Sequence, residues 1–185
     1  DYANKTIKDN IRMIFTGTDH FNQFRTNCTA YFWGQTHNPI TGERFISYFE
    51  DARTYGMQPG MFSGNSLHEA PGCAMENVVD FMIADAEVLG WTFYQIDDIN
   101  APLGEGEYRV YLCFSQKLEY NEDGELVVTT IYHWYRQDPS GSWSHKLGSG
   151  EVTDRDHSGQ IIYNPQEADR GEYTNDGGFF AVSIQ

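Results

Sequence analysis

The sequence predicts one α+β domain over residues 1–185, with N-terminal helices packed on an antiparallel β-sheet. Two observations predict it. Met75, Val78, Val79, Met82, Ile83, Ala86 and Leu89 repeat at helical spacing and stop at Gly90, whereas the chain from Trp91 onward breaks into short runs of β-branched and aromatic residues.

The first element expected is an amphipathic helix over 3–15, because Ile7, Ile11, Ile14 and Phe15 share one face and Gly17 follows where it should stop. A second apolar cluster, Cys28-Thr-Ala-Tyr-Phe-Trp33, follows Asn27 and ends at Gly34. Asn27 is a good N-cap residue, so a short helix would hold Cys28 in its first turn. Residues 35–71 are rich in Gly, Pro, Asn and Ser around an apolar island at Phe45 to Phe49, and read as long loops with at most one short strand. After the helix over 74–89, strands are expected at 91–96, 108–116, 125–137, 142–147 and 178–183. Turns at Asn121-Glu-Asp-Gly124 and Asp138-Pro-Ser-Gly141 make hairpins of the middle three.

Composition excludes several classes of function. Twelve basic against 27 acidic side chains give a net charge of −15, which repels polyanions and removes the counterion release that drives nucleic-acid binding. No apolar run is long enough to cross a bilayer, and Asp80, Asp85 and Glu87 interrupt the longest candidate. The chain is therefore expected to bind neither nucleic acid nor membrane. Residue 1 is Asp rather than Met, which suggests a processed product, and secretion or display at the cell surface is the expectation. Three cysteines, at 28, 73 and 113, are an odd and sparse set, so at least one thiol stays free unless it bridges two chains.

A cysteine in the first turn of a helix has a lowered pKa, since free main-chain N–H groups and the helix dipole favour the thiolate. Cys28 is placed there by its sequence. The histidines that stand out as its base are His133 and His145, both on the Asp138–Gly141 hairpin. If residues 139–141 form a three-residue loop with Gly141 in the left-handed bulge position, His145 faces Tyr135 and His133 faces Leu147. Paired residues share a face, so the two imidazoles become diagonal neighbours, one acting as base and the other fixing its tautomer. Taken singly, such a cysteine more often packs in a core, and a strand histidine is more often structural.

The order Cys in an early helix, His on a strand and a second polar residue on the next strand resembles the NlpC-type branch of the papain-like cysteine peptidases. Met57-Gln-Pro-Gly60 is similar to a Pro-Gly turn of that family. Asn27-Cys-Thr-Ala-Tyr31, Gln58-Pro-Gly60, His133-Trp-Tyr-Arg-Gln-Asp138, Trp143-Ser-His-Lys146 and Ala168-Asp-Arg-Gly171 also resemble a set of uncharacterised bacterial proteins. The first resemblance implies a papain-like architecture, a Cys28–His133–His145 triad without a cofactor, and peptidoglycan stem peptides or another peptide amide as substrate. The strand expected at 108–116 would suit the family's catalytic histidine but contains none, and Lys146-Leu-Gly148 replaces the Lys-Pro-Gly of the bacterial set.

Arg136 and Lys146 are candidate anchors for a substrate carboxylate, with Trp134 beside them lining a groove. Pairing with local acids and burial in the core are the simpler fates. Asp154-Arg-Asp156-His-Ser158-Gly159 spaces oxygen atoms as a calcium loop begins, yet position twelve is Pro165 in place of a bidentate Glu. A polar turn accounts for the same letters, and no metal site is assigned. The rival to catalysis is a secreted module that presents its aromatic-rich sheet to a glycan or protein, with Cys28 merely buried.

Overall fold

The computed structural model describes residues 27–45, 56–65, 75–121, 123–147 and 150–184. Among these residues the helices are α1, Cys28–Phe32, and α2, Met75–Leu89; the strands are β1, Thr92–Ile96, β2, Tyr108–Tyr120, β3, Leu126–Gln137, β4, Trp143–Lys146, β5, Val152–Thr153, and β6, Asn175–Ser183. All six strands belong to one antiparallel sheet in the order β1-β6-β2-β3-β4-β5.

This overturns the expected α+β, papain-like layering of N-terminal helices on a sheet: the fold is mainly β. One reason is that β2 continues past Gln116 to Tyr120 and stays paired with β3 over its whole outer half. Another is that α1 spans only five residues. The helix expected over 3–15 and Cys73 lie outside the described residues.

Strand alternation sorts the core into two layers. On one face Val110, Leu112, Trp134, Phe180 and Val182 meet Phe32 and Trp33 from α1 and its C-terminal end, and Val78, Met82 and Ala86 from α2. Trp134 is fully buried there, its ring 4.6 Å from Phe32 and 5.9 Å from both Phe93 and Phe180. On the other face Tyr111, Cys113, Tyr135, Trp143, Phe179 and Ala181 pack with Ile96 and Ile162.

A chain of polar contacts ties α2 to α1. Asp85 projects inward from α2, and its carboxylate accepts the main-chain N–H groups of Gly60 at 2.8 Å, Phe62 at 3.0 Å and Ser63 at 2.7 Å. That fastens the Gln58-Pro-Gly60 turn, where Gly60 has φ +87° and a Cβ would meet the Asn65 carbonyl oxygen at 2.5 Å. Just before the turn, the Met57 carbonyl accepts from Asn27 Nδ2 at 2.7 Å. Asn27 Oδ1 accepts from Ala30 N at 2.9 Å and caps α1 as its sequence predicts.

Candidate functional site

The Asp138–Gly141 turn has the form its sequence calls for. Asp138 N donates to the Ser142 carbonyl, Gly141 has φ +88°, and Tyr135 lies opposite His145. His133 and His145 therefore share a face, and His133 Nε2 stands 2.8 Å from His145 Nδ1.

The tautomers follow from the next partner. His145 Nε2 is 2.9 Å from the Arg155 carbonyl, which only accepts, so Nε2 carries the His145 proton. His145 Nδ1 is then the acceptor, and His133 Nε2 donates to it. In a neutral His133 this leaves the lone pair on Nδ1. The relay runs from His133 through His145 to a main-chain carbonyl, an arrangement that orients a base.

Aromatic rings clamp both imidazoles. Tyr173 stacks on His133 with centroids 5.1 Å apart, and Tyr135 stacks on His145 at 4.6 Å. Burial lowers the His133 pKa well below its ordinary 6.5, and the neighbouring His145 adds to the effect. Burial also lowers His145, opposed by the Arg155 carbonyl and Asp156. Both rings are therefore neutral at pH 7.

That neutrality has a consequence for stability. Both folded pKa values lie below the unfolded value, so the unfolded chain takes up protons first as pH falls through 6.5. The contribution is present in full above pH 6.5 and is lost progressively below it. The urea midpoint of the native protein should drop from pH 7 to pH 5, and a His133→Gln/His145→Gln variant should lose less over the same interval.

Cys28 is the residue of α1 that keeps most surface, with 9% exposure against 0–1% for Thr29 to Phe32. Its thiol is pushed up to about 11, chiefly by burial; the Trp134 main chain and Thr29 act in the opposite direction. The sequence-based expectation of a lowered pKa is thus corrected: a five-residue helix offsets too little of the desolvation. Cys28 sits in the layer with Trp134, whereas His133 projects from the other face, and among the described residues no hydrogen bond joins the thiol to an imidazole. The sulfur nonetheless meets β3 at the Trp134 main chain, next in sequence to His133. There the paired register of β3 and β4 ends, with Tyr135↔His145.

The proposed substrate anchors are placed differently from expectation. Trp134 and Lys146 are fully buried, and Arg136 is 4% exposed. Arg136 lies over the rings of Tyr31 and Tyr108 and donates to the Tyr31 carbonyl at 3.3 Å, while Lys146 Nζ donates to the Gly150 carbonyl. A substrate carboxylate cannot reach them. Nearby, Tyr31 and Ser144 hydroxyls are 2.8 Å apart, and Ser144 donates to Asp138, which burial pushes up to about 6.

Asp156 belongs to a turn. Its two carboxylate oxygens accept from Gln160 N at 2.9 Å and Asp169 N at 3.1 Å, and Asp154 pairs with Arg155 at 3.5 Å. Among the described residues no group of three His, Cys, Asp or Glu could hold a metal ion. No described helix is long and apolar enough to cross a membrane. On the imidazole face a cavity of about 560 Å³ has His145, Tyr135 and Tyr173 in its wall, with Arg155, His157 and Glu172 among the polar groups around it. The Arg155 carbonyl escapes the sequence because a main-chain acceptor leaves no trace in residue type, and Tyr173 escapes it because the fold alone brings its ring onto His133.

The comparisons reach one stretch of the chain. It is 47% identical over 51 residues to "Insoluble matrix shell protein 1" of Ruditapes philippinarum, a match covering 28% of this chain and 34% of that protein. The chain thus spans about a third of that relative's length. No family model matches the sequence, and no solved structure matches the fold.

Proposed function

We propose that the chain is a thiol-dependent amide hydrolase in which Cys28 attacks a peptide carbonyl and His133, oriented by His145, moves the proton. The observation that carries this reading is the ordered relay of His133 Nε2, His145 and the Arg155 carbonyl, which puts a lone pair on His133 Nδ1. Burial raises the Cys28 thiol and lowers the His133 imidazole, so each is neutral at rest, on opposite faces of the sheet. Attack then requires the proton to leave sulfur as the C–S bond forms, passing to His133 and on to the leaving amine. Water hydrolyses the resulting thioester by the reverse transfer.

The pH profile tests this. The base works while neutral, so turnover of peptide amides should hold down to pH 6.5 and fall only below it, with the acid limb of kcat/KM reporting the depressed His133. An acid limb at or above 6.5, or no turnover across a panel of peptide amides, would refute the assignment.

A second reading rests on a different observation. The partial relative is named as an insoluble matrix shell protein, which favours secretion and a non-catalytic matrix role. On that reading the stacked imidazoles brace the sheet and Cys28 is a core thiol. The same panel separates the two, because a matrix module turns over nothing.

A further inference from the structure

The cavity on the imidazole face lies across the sheet from the layer that holds Cys28. At about 560 Å³ it falls within the roughly 300–1,000 Å³ of small-molecule sites. One buried polar group in its wall is left without a protein partner. Tyr135 is 1% exposed, yet among the described residues its hydroxyl makes no hydrogen bond. Burial raises this phenol most; Cys113, Tyr173 and Asp156 add to the effect and Arg170 opposes it. Tyr173, Asp156 and Arg170 all stand in the cavity wall, which puts the Tyr135 hydroxyl on the cavity side.

Tyr173 offers a second hydroxyl of the same kind. Burial pushes it up to about 12, so it keeps its proton, and among the described residues it too makes no hydrogen bond. A phenol donates and accepts at one oxygen, and a buried one left unmatched is costly. The neutral group that answers it at a single atom is an alcohol hydroxyl.

The charged side chains of the wall are, by contrast, already matched. Arg170 donates to Asp176 at 2.5 Å and to the Thr174 carbonyl at 3.3 Å, while Arg155 pairs with Asp154 at 3.5 Å and donates to the Gly159 carbonyl at 3.2 Å. Asp156 accepts two main-chain N–H groups, Asp169 accepts from Ser158 and Gly171, and Glu172 holds Lys117 at 2.9 Å. No guanidinium is left over for an anion and no carboxylate for a cation. The net charge of −15 further opposes an anionic ligand.

We propose that this cavity binds a neutral carbohydrate, a mono- or disaccharide unit whose hydroxyls pair with Tyr135 and Tyr173. The Tyr173 ring and Leu147 supply carbon surface for the C–H face of the sugar, and the matched charges around them leave its uncharged hydroxyls as the groups recognised.

Isothermal titration calorimetry tests this, with glucose and cellobiose as neutral probes, glucuronate and glucosamine as charged ones, and an N-acetyl dipeptide amide as the neutral non-sugar. The expected result is saturable binding of a neutral sugar, with both charged sugars weaker by about tenfold or more. Tyr135→Phe keeps the ring and removes the hydroxyl. It should weaken the sugar about tenfold while the urea midpoint stays in place, because no hydrogen bond within the protein is lost. Tyr173→Phe is the independent second variant. The proposal is overturned if neither neutral sugar binds saturably, if glucuronate or glucosamine binds as tightly, if the dipeptide amide binds and the sugars do not, or if both phenylalanine variants keep the native affinity.

Discussion

Cys28→Ser should reduce peptide-amide turnover by about 10³-fold or more, and His133→Ala should reduce it by a similar factor. Residues that act as one unit are not additive, so the double variant should fall no further than the worse single one. His145→Ala should be milder, because it removes the group that orients His133 and leaves the base itself in place. The measurement is kcat/KM for the four variants and the native protein on one peptide amide, with folding checked by tryptophan fluorescence. If Cys28→Ser retains full turnover, the sulfur has no part in the chemistry.

The largest expected effect on stability lies away from the imidazoles, at Asp85. Its buried carboxylate accepts three main-chain N–H groups of the 60–63 turn. Asp85→Ala leaves those donors without their acceptor and should cost about 3 kcal/mol or more, read as a shift in the urea midpoint. The same change should impair turnover beyond its effect on the folded fraction. The turn it releases carries Met57, whose carbonyl holds Asn27, and Asn27 caps the helix on which Cys28 sits. Unchanged kcat/KM in the folded population would show that this line of contacts does not position the thiol.

Local features were the most legible in the sequence. The Asn27 cap, the helix ending at Gly90 and the three-residue loop with Gly141 each depend on a few adjacent residues whose conformational preferences agree. Period-two alternation then carried the hairpin as far as the His133–His145 contact. The balance of layers was not legible, because the length of β2 is set by its partner: Lys117, Glu119 and Tyr120 become strand residues by pairing with Thr129, Val127 and Leu126.

The fates of Arg136 and Lys146 were hidden for a related reason. A charged residue between aromatics reads as a groove, whereas here both cations are buried and donate hydrogen bonds to main-chain carbonyls. Likewise the first-turn position of Cys28 argued for a lowered pKa, and the burial that reverses it comes from β3 and residues far along the chain.

Alkylation of the folded protein by iodoacetamide at pH 7, mapped by mass spectrometry, bears most directly on whether a base assists the Cys28 sulfur at the end of the β3–β4 register. Cys28 should be modified in the native state, and His133→Ala should slow the modification severalfold. Cys28 left untouched until the protein is unfolded, or modified equally fast without His133, would contradict a base-assisted thiol.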